Sequence, residues 1–209
     1  DGWMEKPLVL GDRVARLIGA APGEVAVVDT TSINLFKLLA SALRLRSDRK
    51  VILSNRENFP TDLYMAQGLS DWLGQGHELR LVAEDEIASA IDEDVAVVML
   101  TQTNFKTGRV LDMKSITAAA HGVGALTIWD LAHSAGAFQV ELNVARADFA
   151  VGCSYKYLNA GPGGPAFLFV AERHQEASEQ PLTGWLGHEN PFAFDTEYRP
   201  AEGIRRHMN

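Results

Sequence analysis

Val95–Thr101, VAVVMLT, is apolar at six consecutive positions and closes on a threonine. A half-buried strand would alternate apolar and polar residues, so a run apolar throughout needs cover on both faces. Runs of similar character recur along the chain at Glu24–Asp29 (EVAVVD), Lys50–Ser54 (KVILS), Leu79–Val82, Leu126–Asp130 (LTIWD), Phe149–Cys153 and Ala166–Val170. Between them the spacing turns helical, over Asp12–Gly19, Ser32–Arg46, Thr61–Leu73, Asp85–Ile91 and Met113–His121. In Ser32–Arg46, Leu35, Leu38, Leu39, Ala42, Leu43 and Arg46 form one stripe, with the basic residue at the end that the helix dipole favours. Gly74, Gly76, Gly122 and Gly124 stand where helices should stop. Strands alternating with helices predict an α/β fold, a mostly parallel sheet covered by helices, and ligands at the carboxyl ends of its strands.

Composition narrows the functional classes. With 19 Lys and Arg against 27 Asp and Glu, the net charge of −8 argues against a nucleic-acid scaffold. No apolar run approaches the roughly 18 residues of a membrane helix, and no basic-then-apolar leader opens the sequence. The single cysteine, Cys153, excludes an internal disulfide framework and any multi-cysteine zinc site, and it suits a reducing compartment. Neither Asp1 nor Asn209 reads as a natural terminus, so a fragment of a longer protein is expected.

Five polar clusters follow five of the strands. Asp29-Thr30-Thr31-Ser32 opens a long helix, where hydroxyls and free N–H groups make an anion site, although taken alone plain N-capping by Thr31 or Ser32 is the simpler explanation. Asn58-Phe59-Pro60-Thr61-Asp62 offers an aromatic face and a carboxylate, or simply a helix start. Asp130-Leu131-Ala132-His133 ends a buried strand on a carboxylate, which is costly without a cation or donors; the plain alternative is an N-cap for a following helix. Ser154-Tyr155-Lys156-Tyr157 precedes the break Asn159-Ala160-Gly161-Pro162-Gly163-Gly164-Pro165 and puts an ammonium group where partial desolvation is expected, as an imine-forming amine requires; the plain alternative is a solvated loop lysine. Cys153 reads as a small buried hydrophobe. Gly184-Trp185-Leu186-Gly187-His188 offers either a ring to cover a core edge or an indole N–H to a phosphate, and beyond Pro181 the pattern is mostly irregular.

The order of these clusters is more specific than any of them. A strand-end acid, Asp130, followed twenty-six positions later by a strand-end lysine, Lys156, is the pair that pyridoxal 5′-phosphate chemistry requires. The lysine forms the imine, and the carboxylate keeps the pyridine nitrogen protonated so that the ring can accept carbanion electrons.

The motifs DTTSINLF (29–36), NFPTDLY (58–64), TNFKTGR (103–109), IWDLAHSAG (128–136), GCSYKYLNAGPGGPAF (152–167) and GWLGH (184–188) resemble those of the kynureninases, fold-type-I pyridoxal-phosphate enzymes of the aminotransferase class V superfamily. The resemblance implies a three-layer α/β/α large domain over residues 1–209, without the N-terminal segment and the C-terminal small domain of longer family members. It implies that Lys156 carries the cofactor, Asp130 binds the pyridine nitrogen with Asp62 beside it, and Phe59 stacks on the ring. Thr31, Ser32, Tyr155 and Trp185 would contact the phosphate, Trp185 from the partner subunit of a homodimer, while His133 and Thr101 would line the pocket. The implied reaction is hydrolysis of L-kynurenine, or its 3-hydroxy form, to an anthranilate and L-alanine in tryptophan degradation. Lys156 would move the α-proton, and Tyr155 would serve as acid–base group for water addition. A cytoplasmic enzyme with a small-molecule substrate and no nucleic-acid or membrane partner is expected. Two other readings share part of the pattern. Another class V enzyme, an aminotransferase or a cysteine desulfurase, would use the same Asp and Lys, although a desulfurase needs a mobile cysteine and Cys153 lies on a strand. A non-catalytic α/β module would hold an anion at Thr31 and Ser32 without chemistry.

Overall fold

The computed structural model describes residues 2–209. Seven strands form one sheet: β1 (Val25–Val27), β2 (Val51–Asn55), β3 (Glu78–Val82), β4 (Val95–Thr101), β5 (Leu126–Asp130), β6 (Phe149–Cys153) and β7 (Ala166–Val170). Their order is β1-β7-β6-β5-β4-β2-β3. β3, β2, β4, β5 and β6 pair in parallel, and β7 runs antiparallel to both β6 and β1. Every residue of each strand except β3 is buried, which is why those runs carry no alternation. β3 is the partly exposed edge, and its sequence ELRLV alternates accordingly.

The helices are α1 (Lys6–Ile18), α2 (Thr31–Leu45), α3 (Pro60–Leu73), α4 (Met113–Gly122), α5 (Leu142–Ala145) and α6 (Glu172–Gln175). Successive strand residues feed opposite cores. Trp129, Phe167 and Phe169 pack with Ala15 and Ile18 of α1 and Ala120 of α4. Ile128, Phe149 and Leu168 pack with Leu35, Leu38 and Leu39 of α2 and Leu69 of α3. The sheet is therefore sandwiched between two helical layers, as the sequence pattern predicts. Gly11 brings α1 onto β1, since a Cβ there would lie 2.0 Å from the Val25 carbonyl oxygen.

Four local expectations need correction. The N-cap of α2 is Thr30, whose Oγ1 accepts from the Ile33 N–H at 3.3 Å, not Thr31 or Ser32. α1 begins at Lys6, six residues before the expected start, with Pro7 in its first turn. Asp85–Ile91 is two 3₁₀ turns, Glu84–Glu86 and Ala88–Ala90, not a helix. Only twelve residues join β3 to β4, and they must return along the sheet while crossing β2. A 3₁₀ turn advances about 2.0 Å per residue against about 1.5 Å for an α-helix, so the tighter coil covers the distance. Finally, no helix follows Asp130. Its carboxylate accepts from the Ala132 N–H at 2.7 Å, and Leu131 donates to Val151 O at 2.7 Å, so the chain folds into successive turns.

Candidate active site

The parallel strands end at one edge of the sheet, and a cavity of about 220 Å³ opens there. Thr30, Thr31, Ser32, Phe59, Thr61, Asp62, Asp130, Ala132, Tyr155 and Lys156 line it. Four of the five polar clusters thus converge although they span 127 positions of sequence. Thr31 and Ser32 supply the first turn of α2, whose N–H groups have no partner within the helix. Pro60 in the first turn of α3 sets Phe59 and Asp62 at the helix start.

The loop after β6 delivers Lys156. Asn159, in the left-handed region at φ 58°, turns the chain, and Ala160 N donates to Ser154 O at 3.0 Å. This loop rests on the turns after β5, where Gly136 at φ 86° is required, because a Cβ there would lie 2.6 Å from Tyr157 O. Half-buried Lys156 points its Nζ at His133 Nε2, 3.1 Å away, and lies 5.5 Å from the centre of the Phe59 ring. Burial, and then the Lys156 charge, hold the His133 imidazole below its ordinary range. A neutral imidazole is what an ammonium can donate to. Phe105, within the TNFKTGR motif and given no role from sequence alone, meets Phe59 edge-on at 5.3 Å and stacks on His133 at 6.4 Å.

Asp130 and Asp62 are both about 4% exposed and lie close enough for each to shift the other's titration. Two buried carboxyls this close resist carrying two charges at once. Burial first, and then the charge of Asp130, raise the Asp62 carboxyl well above the usual carboxylate range. Burial also raises Asp130, although the Ala132 N–H, Asp62 and the Lys156 charge oppose the rise. A carboxyl raised on folding contributes stability that is complete below the unfolded value of about 4 and is lost as pH rises through its folded value. Asp62→Asn keeps a donor toward Asp130 without a group to ionise. Its melting temperature should pull ahead of wild type as pH rises, by ~2–4 °C for each kcal/mol relieved. Thermal melts at pH 5 and pH 9 check this, and an offset equal at both values would refute it.

Thr101 is buried and its hydroxyl donates to Asn58 Oδ1. Tyr155 is half exposed at the cavity rim. Trp185 is not brought to the cavity within one chain. It meets Phe192 edge-on and stacks on Phe194 in a separate exposed cluster, and it donates its indole N–H to Pro191 O. Cys153 is buried as expected, its thiol raised by burial and its Sγ 3.8 Å from Ala132 O.

Residues 11–193 match the aminotransferase class V family. The kynureninase of Pseudomonas fluorescens is 54% identical over 99% of the chain and that of Burkholderia pseudomallei strain 1106a 55% over the same share; this chain covers 51% of each. It thus spans about half the length of the curated relatives it matches. Among solved structures, the cysteine desulfurase of Thermococcus onnurineus NA1 superposes with a TM-score of 0.77 at 23% identity, over 97% of this chain and 52% of that one. The cysteine desulfurase CsdA of Escherichia coli gives 0.77 at 17% identity, over 97% and 52%. At such identities these structures testify to the fold alone. With the family's pattern running from α1 past the lysine loop on a mostly parallel sheet that gathers Asp130 and Lys156 at one edge, the chain belongs to the aminotransferase class V family.

Proposed function

We propose that this chain is the cofactor-binding large domain of a pyridoxal-phosphate-dependent hydrolase that cleaves L-kynurenine, or its 3-hydroxy form, to an anthranilate and L-alanine. The observation that carries the reading is the meeting of Lys156, the buried Asp130 and the open start of α2 in one cavity, in a chain more than half identical to two kynureninases. The residues present fit the group. Asp130 is a buried carboxyl already held in place by the Ala132 N–H; Phe59 offers a ring face beside Lys156; the first turn of α2 offers N–H groups and hydroxyls to a phosphate. The cavity is smaller than the roughly 300 Å³ from which small-molecule pockets usually start, which suits a cofactor rather than a cofactor together with an aryl substrate.

Bound there, pyridoxal phosphate supplies an electron sink for a carbanion at the substrate α-carbon. The chain's own residues do the rest. Asp130 holds a proton on the pyridine nitrogen. Lys156 Nζ moves the α-proton, and His133 Nε2 keeps that amine oriented when it is free. Tyr155, at the rim, provides a hydroxyl for proton exchange at the substrate carbonyl. A homodimer in the cytoplasm completes the reading: a second copy would cover Phe192 and Phe194 and carry Trp185 toward the phosphate. Among the described residues no helix is long and apolar enough to cross a membrane.

The desulfurase reading loses support because Cys153 is buried among strands, with its thiol proton held on. The test is an assay of the full-length protein containing this chain, loaded with pyridoxal phosphate, on L-kynurenine and on L-cysteine. Release of anthranilate with alanine is expected. Sulfur release from cysteine with kynurenine untouched would overturn the proposal.

A further inference from the structure

Asp29 stands just before Thr30, the N-cap of α2, and a carboxylate there has a target close at hand. An aspartate side chain readily accepts from the N–H two residues on, closing an Asx turn, and it tolerates the left-handed backbone that Asp29 adopts at φ 50°. Two residues on is Thr31, at the positive end of the helix dipole. The structure shows a different arrangement. Asp29 Oδ2 accepts instead from Lys37 Nζ at 2.6 Å. Lys37 lies nearly two turns into α2, its side chain is 0% exposed, and the same Nζ donates to His207 O at 2.8 Å. The Ile33 N–H is taken by Thr30, whereas among the described residues the N–H groups of Thr31 and Ser32 have no protein acceptor. Thr30, Thr31 and Ser32 line the cavity; Asp29, next to them in the chain, does not.

We propose that Lys37 is a positioning residue: by holding the Asp29 carboxylate away from the cavity, it keeps the first turn of α2 open to an outside anion, the cofactor phosphate. That identity of the anion rests on the proposed function, whereas the pairing that withdraws Asp29 does not. The backbone around Asp29 is anchored without Lys37. Ala166 N donates to Asp29 O at 2.9 Å, Asn34 Nδ2 donates to Val28 O at 2.9 Å, and Thr30 caps the helix. Loss of Lys37 therefore frees the carboxylate and not the chain that carries it. Burial does not lock the carboxylate in place either, since the Asp29 side chain is 22% exposed. Without the ammonium group it turns to the Thr31 N–H or stands as a bare charge beside it. The first outcome occupies a donor that a phosphate needs, and the second repels the phosphate. The bond to His207 O gives Lys37 a separate task, that of tying residues 203–207 to α2, and the two tasks make different predictions.

The experiment titrates the full-length protein containing this chain with pyridoxal phosphate and, separately, with pyridoxal, following the visible band that each forms with Lys156. Pyridoxal lacks only the phosphate, so the ratio of the two affinities isolates what the start of α2 contributes. In Lys37→Met the dissociation constant for pyridoxal phosphate should rise roughly tenfold or more, the size of one charge-assisted hydrogen bond, while that for pyridoxal stays near the wild-type value. Adding Asp29→Gly, which removes the carboxylate and accepts the left-handed backbone, should return the ratio toward wild type. Far-ultraviolet circular dichroism establishes that each variant is folded. An equal loss for both ligands, or a loss that Asp29→Gly does not reverse, would mean that Lys37 acts only by tying residues 203–207 down, and would overturn the proposal. Should Lys37→Met fail to fold, Asp29→Asn decides alone: it keeps an acceptor for Lys37, and a tenfold weakening for pyridoxal phosphate would show that the Asp29 charge supports the phosphate. A band in wild type without release of anthranilate from kynurenine would defeat the proposed reaction and leave this inference standing. Absence of any band in wild type would defeat the cofactor reading. Inorganic phosphate, titrated by calorimetry, then decides: the same order of variants supports the role of Lys37, and no binding by wild type overturns it.

Discussion

Lys156→Ala abolishes the borohydride-reducible visible band that wild type acquires on incubation with pyridoxal phosphate, and in the full-length protein it lowers turnover by roughly 10²–10⁴-fold through lost proton transfer alone. The expectation rests on there being no substitute. Among residues lining the cavity Lys156 is the sole amine. Lys37, the other buried lysine of this region, is committed elsewhere: fully buried, it bonds Asp29 Oδ2 at 2.6 Å and His207 O at 2.8 Å. The variant also has a signature that needs no cofactor. Part of what lowers the His133 imidazole is the Lys156 charge, and Nζ is the partner of its Nε2. Removing that charge should raise the His133 titration midpoint, which proton NMR of the ring C–H follows directly. Retention of the band would remove Lys156 from its role. Loss of the band with an unmoved His133 would show that the two side chains do not meet as described.

How much of this was legible in the sequence depended on the range of the interaction. The strands were readable because burial on both faces leaves an unbroken apolar run, as in VAVVMLT, and every strand falls within two residues of the expected bounds. The lysine and the two aspartates were readable because strand ends on a parallel sheet share an edge, so three separate clusters had one place to meet. Pairings across the sheet were not readable. Asn58 and Thr101 lie 43 positions apart, and only the adjacency of β2 and β4 brings them together. Phe105 was hidden for the same reason, since nothing in TNFKTGR says that its ring will brace Phe59. The misread turns have local causes. Asp130 was a candidate cap, but its carboxylate closes on the Ala132 N–H, and Leu131 is drawn into pairing with β6 before a helix can nucleate. Lys37 sits within an otherwise sound helical pattern, and no sequence rule marks it as fully buried. Its burial lowers its affinity for protons, and Asp29, held at φ 50°, partly restores it.

Asp148→Asn should be the most destabilising polar substitution in the chain, costing about 3–5 kcal/mol at neutral pH and ~6–20 °C of melting temperature. Asp148, 1% exposed, stands just before β6 and ties four elements together. Its Oδ1 accepts from Arg173 at 2.7 Å and meets His174 Nε2 at 2.7 Å, both on α6. Its Oδ2 accepts from the Thr127 N–H at 2.8 Å and hydroxyl at 3.0 Å on β5, and meets His121 Nε2 of α4 at 2.8 Å. An amide in that position turns an N–H toward donors and leaves at least one of them buried and unpaired. The pH dependence runs opposite to that of Asp62. Burial opposes the charge of Asp148, yet the bonds from His121, His174 and Arg173 outweigh it and hold the carboxyl well below the usual range. A carboxyl depressed on folding contributes stability that is present above the unfolded value of about 4 and is lost as pH falls toward the folded one. The gap between wild type and Asp148→Asn should therefore be widest at neutral pH and narrow below about pH 4, whereas the gap for Asp62→Asn widens as pH rises. Denaturant melts of both variants at pH 3, 5, 7 and 9 measure the two slopes together. Because Asp148 lies at the amino ends of the strands, folded Asp148→Asn should still acquire the visible band with pyridoxal phosphate. A gap for Asp148→Asn that did not narrow in acid would mean that its stabilisation comes from packing and not from the ionised carboxylate, and the account of how the two ends of the sheet divide their labour would fail with it.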